Sequence, residues 1–213
     1  LSTMVSLGYV AKDENTGHYR LGPEIVTLGG IALNHYEIRK LALPELYEIE
    51  KITGLDTNLA ILDGGTVFYL AHVDSYNSPR MYTFVGCRNP IHSTAMGKAM
   101  LTFMDSTARD ELLAGQSFKA YTKHTITDRA TLLAQCEQFL PKGYVVEVEE
   151  LALGRACIAV PIMGREGKVV AAMSISGSLS KINLKEREQE LASILIEMAN
   201  RVSTKMGHML AGF

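Results

Sequence analysis

The run Asp56 to Ser75, DTNLAILDGGTVFYLAHVDS, commits much of this chain to an antiparallel sheet. Two apolar, strand-forming segments are separated only by Asp63-Gly64-Gly65, and glycine readily takes the positive φ that a tight hairpin demands. The segments RACIAVPI and KVVAAMSISG, joined by MGREG, repeat that arrangement near the C-terminus. YVVEVEE and RMYTFV read as two more strands by the same criteria. Helical patterns fill the intervals: HSTAMGKAMLTFM, STARDELLAG, and TLLAQCEQFLPKG, which Pro141 and Gly143 stop. A final helix from Leu184 to Gly207 carries Leu191, Ile194, Leu195, Met198 and Val202 at helical spacing. Strands in antiparallel hairpins with helices outside them predict an α+β domain with a mainly antiparallel sheet.

The first 53 residues read differently. LSTMVSLG has the pattern of the last turns of a helix closed by a glycine, so the reading expects that residues preceding Leu1 are missing. Tyr9–Lys12 and His18–Leu21 then predict a short hairpin around Asp13 to Gly17. A helix feeding a hairpin is the second half of a winged helix-turn-helix, although an ordinary edge hairpin has the same composition. An apolar helix from Pro23 to Leu33 and a second from Glu37 to Thr53, stopped at Gly54, follow.

A chain of 213 residues, 47% of them apolar, buries one sizeable core and a small appendage. The formal charge of −2 offers no polybasic surface for nucleic acid or anionic lipid over the whole chain. No apolar run approaches the ~20 residues of a membrane helix, and no secretion signal opens the sequence. Cys87, Cys136 and Cys157 are scattered singly and the six histidines are dispersed, so neither a disulfide framework nor a metal site is expected. The expected compartment is the cytoplasm, with no cofactor.

Chemistry concentrates in two places. In HSTAMGKAM, Ser93 or Thr94 can cap a helix. The first-turn amides of Ala95, Met96 and Gly97 are then orphan donors at the positive end of the helix dipole, a ready anion site. Gly97 is expected to let a ligand approach the backbone. In AMSISG, Ser174 and Ser176 are two apart on one strand, so both hydroxyls face one side while Met173 and Ile175 face the other. Two hydroxyls inside an apolar strand are costly unless that face is wet or lines a polar pocket. Cys157 on the neighbouring strand and Glu147 in YVVEVEE are available to the same pocket. Singly, each has a plain structural explanation; the combination points to a binding site.

The blocks LGYVAKDENTGHYRLG, HSTAMGKAML, GYVVEVEELALGRACIAVPI and GKVVAAMSISGS occur in the order of the corresponding blocks of the IclR family of bacterial transcription regulators, and the likeness spans the chain. This resemblance implies the end of a recognition helix and a wing over 1–22, a linker helix over 23–35, and a GAF-like effector-binding domain over 36–213. It implies a DNA-binding repressor of a catabolic operon, a homodimer or homotetramer, with a small organic acid or sugar acid as effector. The effector residues carried over are Ala95, Met96, Glu147, Cys157, Ser174 and Ser176. Met81, Phe84 and Arg155 are added as pocket lining, and Lys12, His18 and Arg20 as weak wing contacts to DNA. Glu147 stands where the family often has Asp, and Arg155 where many members have an apolar residue.

Two other readings compete. One is a hydrolase or transferase of small acyl compounds that uses Cys157 or Ser93, for which no orienting base is spaced. The other is a dimerisation module with an empty pocket.

Overall fold

A computed structural model describes residues 1–76 and 83–209. It divides between Lys40 and Leu41 into two compact units. The first unit starts with α1 (Ser2–Ser6), which ends as Gly8 donates to the Val5 carbonyl. Strands β1 (Val10–Lys12) and β2 (Tyr19–Leu21) pair antiparallel, and Asp13 closes the loop by accepting from the amides of Asn15 and Thr16. Helix α2 (Glu24–Asn34) follows, close to the expected span, and none of its residues is buried. Helix α3 (Glu37–Thr53) carries the chain across the division.

The second unit is built on one six-stranded sheet, ordered β5-β4-β3-β8-β7-β6 and antiparallel throughout. Its strands are β3 (Asp56–Asp63), β4 (Thr66–Val73), β5 (Arg88–Pro90), β6 (Val145–Val148), β7 (Arg155–Met163) and β8 (Val169–Ser178). Gly64 and Gly65, at φ 57° and 77°, make the two-residue turn between Asp63 and Thr66 that the sequence demanded.

Helices cover both faces. On one lie α4 (Ala95–Phe103), α5 (Ser106–Ala114) and α6 (Arg129–Phe139); their core joins Met100, Leu113 and Leu132 to Ala60, Val145, Ala159 and Ala172 of the sheet. Alanines at three of those strand positions let α4 sit close. The alternate residues Ile158, Val160, Ile162, Met173 and Ile175 are buried on the opposite face. There α8 (Leu184–Lys205), reached through the short α7 (Leu179–Ile182), packs on β7, and Ser203 Oγ accepts from the Met163 amide at 3.0 Å. Leu46 and Ile49 of α3 are fully buried, and the Leu46 carbonyl accepts from Thr57 Oγ1 of β3.

Two expectations need correction. The strand expected at Arg80–Val85 is not found at Thr83–Val85, and its first three residues lie outside the described residues. The partner of β4 is Arg88–Pro90 instead, in a segment that reads as loop. A turn with Gly86 at φ 92° brings the chain back, so that Gly86 donates to the Tyr69 carbonyl and Tyr69 to Cys87. Pro90 is tolerated because β5 is an edge strand. The other correction is at β6, which stops at Val148 because Glu149 takes φ 59° and leaves the extended region.

Candidate functional site

Residues paired directly across a sheet point to the same face, so the register places side chains in rows. Asp56, Ser176, Cys157 and Glu147 form one row across β3, β8, β7 and β6. His72, Asn58, Ser174, Ala159 and Val145 form the next, from β4 to β6. This polar strip lies on the face covered by α4. Between strip and helix is a cavity with about 60 Å³ of room for water-sized centres, where roughly 10–15 Å³ would hold one water.

Helix α4 supplies the roof. Thr94, rather than Ser93, is its cap: Oγ1 accepts from the Gly97 amide at 3.1 Å, and the Thr94 carbonyl accepts from Lys98. The Ala95 and Met96 amides are thus the first-turn donors left at the helix start, and both residues line the cavity. Gly97 has another role than the one expected of it. A Cβ there would lie 2.2 Å from the Ile91 carbonyl oxygen, so the glycine lets the helix pack on its own leading loop.

All six residues singled out as effector contacts, and Arg155, line this one cavity. Asn58 Nδ2 donates to Ser174 Oγ at 3.1 Å and to Ser176 Oγ at 3.3 Å. Arg155 donates to Ser176 Oγ at 3.1 Å and lies 3.7 Å from the buried carboxylate of Asp56, so its charge turns inward but is already paired. Burial raises the Glu147 pKa above the ordinary carboxylate value, and the 2.5 Å bond it accepts from the Glu150 amide partly offsets this. Glu150 in turn receives an ion pair from Lys98 of α4, whose Nζ also donates to Gln135 of α6 at 2.8 Å. The roof, the β6 wall and α6 are therefore tied through one buried cation.

Phe84 is 61% exposed and is absent from the wall, where Thr83 stands instead; Met81 lies outside the described residues. Sequence reasoning missed Asn58, Tyr69, Thr83, Asn89 and Leu151, and read Thr94 only as a possible cap. Asn58 was findable, because it interrupts an apolar strand at an alternate position just as the serines do. Tyr69 and Asn89 carry no such signal.

The site is poorly arranged for covalent chemistry. Burial, then the charge of Glu147, pushes the Cys157 thiol well above its ordinary value, which disfavours the thiolate. Ser93 Oγ has no hydrogen-bond partner among the described residues, and His92 directs Nε2 to the Lys119 carbonyl at 3.0 Å. Among the described residues no three His, Cys, Asp or Glu side chains cluster as a metal would require.

In the first unit Lys12, His18 and Arg20 are exposed, and Lys12 pairs with Glu14 at 3.6 Å. Among the described residues no helix is long and apolar enough to cross a membrane.

Residues 30–204 match the family described as bacterial transcriptional regulator IclR C-terminal. The HTH-type transcriptional regulator KdgR of Escherichia coli K12 is 35% identical over 208 residues, which cover 98% of this chain and 79% of that protein. The crystal structure of Thermotoga maritima IclR superimposes with a TM-score of 0.89 at 31% identity, covering 97% of this chain and 83% of the other. An IclR homolog from Microbacterium hydrocarbonoxydans, solved in complex with 4-hydroxybenzoate, gives a TM-score of 0.80 at 26% identity, over 96% of this chain and 82% of the other.

Proposed function

Because this chain belongs to the IclR family of bacterial transcriptional regulators, which are not enzymes, we propose that the cavity under α4 is the effector site of a ligand-responsive repressor of a catabolic operon. The effector is a small organic acid or sugar acid. The observation that carries this reading is the meeting of two helix-start amides with the Ser174–Ser176–Cys157–Glu147 group across one small cavity. Amides at a positive helix end favour a carboxylate, while hydroxyls and a buried carboxyl suit the oxygens of the rest of the molecule. The size supports a compact ligand, since the room corresponds to roughly four to six water-sized groups. The homolog solved with 4-hydroxybenzoate supports a carboxylate as the ligand class.

In this reading the first unit ends a DNA-binding domain. Lys12, His18 and Arg20 touch phosphates or a groove edge and add little affinity, because Asp13 and Glu14 offset them. Helix α2 is the linker, and its exposed Val26, Leu28 and Ile31 are covered by a second copy in a homodimer or homotetramer. The protein acts in the cytoplasm on operator DNA.

A melting screen across small carboxylates tests the effector site. A ligand at 100 times its Kd adds about 2.7 kcal/mol, or several degrees for a chain of this size. Ser174→Ala and Ser176→Ala are each expected to weaken binding by about 1–2 kcal/mol while the fold survives. No shift with any acid, on protein shown to carry no co-purified ligand, refutes the reading. So does unchanged binding in both variants.

A further inference from the structure

Behind the cavity wall a buried histidine is hydrogen-bonded to one of the wall residues. His72 Nδ1 lies 2.7 Å from Asn58 Oδ1, and His72 Nε2 lies 2.9 Å from Asp74 Oδ1. The His72 side chain is only 7% exposed, whereas Asp74 is 64% exposed and lies outside the cavity lining. Both atoms facing the ring are acceptors, so this arrangement satisfies an imidazolium that donates from each nitrogen. With its oxygen taken by His72, Asn58 turns its NH₂ toward Ser174 and Ser176, and both hydroxyl oxygens accept. Their own hydrogens have no acceptor among the described residues and are available to a ligand in the cavity.

A neutral ring reverses this sense. Nε2–H remains on the Asp74 carboxylate, Nδ1 becomes an acceptor, and the Asn58 amide is satisfied only when turned over. Its NH₂ then donates to His72 and its oxygen accepts from the two serines. The hydroxyls now spend their hydrogens on Asn58 and offer the cavity lone pairs. A carboxylate meets donors in the first state and acceptors in the second; a carboxamide, which donates, gains in the second.

We propose that His72 is the specificity-determining residue of this cavity, its protonation setting through Asn58 whether Ser174 and Ser176 donate to the ligand or accept from it. The proposal rests on the effector-site reading and adds that acid binding takes up a proton at His72. It is a positioning role, since His72 does not line the cavity. Among the described residues the other charged groups on this face of the sheet are Asp56, which also holds the Ser75 amide, Arg155, which pairs with it, and Glu147, whose own ionisation must be separated from that of His72. On α4, Lys98 is committed to Glu150 and Gln135.

The probes are lactate and lactamide, which differ at the acid group and share the rest of the skeleton. Binding is measured from about pH 5 to about pH 8, the range in which histidine changes charge. Ring ¹⁵N signals of His72 and the side-chain amide signals of Asn58 are followed over the same range. Lactate affinity is expected to fall by up to tenfold per pH unit as the ring loses its proton, lactamide affinity is expected to hold or rise, and the Asn58 signals are expected to follow the ring. Asp74→Asn separates His72 from Glu147. An amide at 74 can donate to Nε2, so a neutral ring keeps Nδ1–H on Asn58 and the pH dependence is lost while lactate preference stays. His72→Ala is expected to abolish that preference.

Lactate affinity that does not change while His72 titrates overturns the proposal. A full wild-type slope retained in Asp74→Asn also overturns it and assigns the slope to Glu147. If neither probe binds at any pH, the wider carboxylate screen decides the effector-site reading. Even then the His72–Asn58 coupling is decided by whether the Asn58 signals follow the ring.

Discussion

Lys98 is the largest fully buried side chain among those described, and its replacement by methionine tests how the roof of the cavity is held. The Lys98 and Glu150 side chains are 1% and 7% exposed. Lys98→Met preserves most of the volume but strips Glu150 of its cation, and Glu150 Oε2 already has no hydrogen-bond partner among the described residues. Breaking a buried pair by removing one partner costs about 3–5 kcal/mol, because the remaining charge is left uncompensated. Gln135 loses its donor as well. For a chain of this size that corresponds to a fall in melting temperature of roughly 6–20 °C. Against the ~5–15 kcal/mol that keeps a domain folded, the loss is large. Adding Glu150→Gln removes the stranded charge, and the double variant is expected to recover at least about half of the loss, since neutral replacement of a buried pair is often tolerated. Urea unfolding by linear extrapolation, at one protein concentration throughout, gives the comparison. A loss below about 1 kcal/mol for Lys98→Met, or a double variant no more stable than the single, refutes the view that this cation ties α4 to the β6 wall.

Gly97→Ala is expected to destabilise by at least about 1–3 kcal/mol, the range for overpacking, because the new Cβ meets backbone rather than a movable side chain; a thermal melt equal to wild type contradicts the close approach to Ile91. Glu147 carries a raised pKa in the folded state, so folding takes up a proton there, and its contribution to stability is present below the ordinary carboxylate value and lost as pH rises through the folded one. Glu147→Gln is therefore expected to reduce that decline in stability. Denaturation midpoints across the acid range check this, and an unchanged pH profile in the variant refutes it.

Periodicity and turn chemistry act over a few residues, and what depends on them was legible in the chain itself. The Asp63-Gly64-Gly65 turn, the cap ahead of Ala95, the stop after Thr53, and the common facing of Ser174 and Ser176 all follow from local steric preference and alternation. The family blocks then indicated which of those local features share a site. Strand order and register are different, because they are settled by which pairings bury the whole apolar surface at once. Only that global choice sets Asn58 beside Ser174, 116 residues away, and joins Arg155 to Asp56. It also converts a proline-ended loop into the edge strand β5, where apolar residues upstream looked the better strand. Lys98 reads in the sequence as an ordinary helix lysine. It becomes a buried cation only because α4 lies against the segment that carries Glu150, and α6 closes over both.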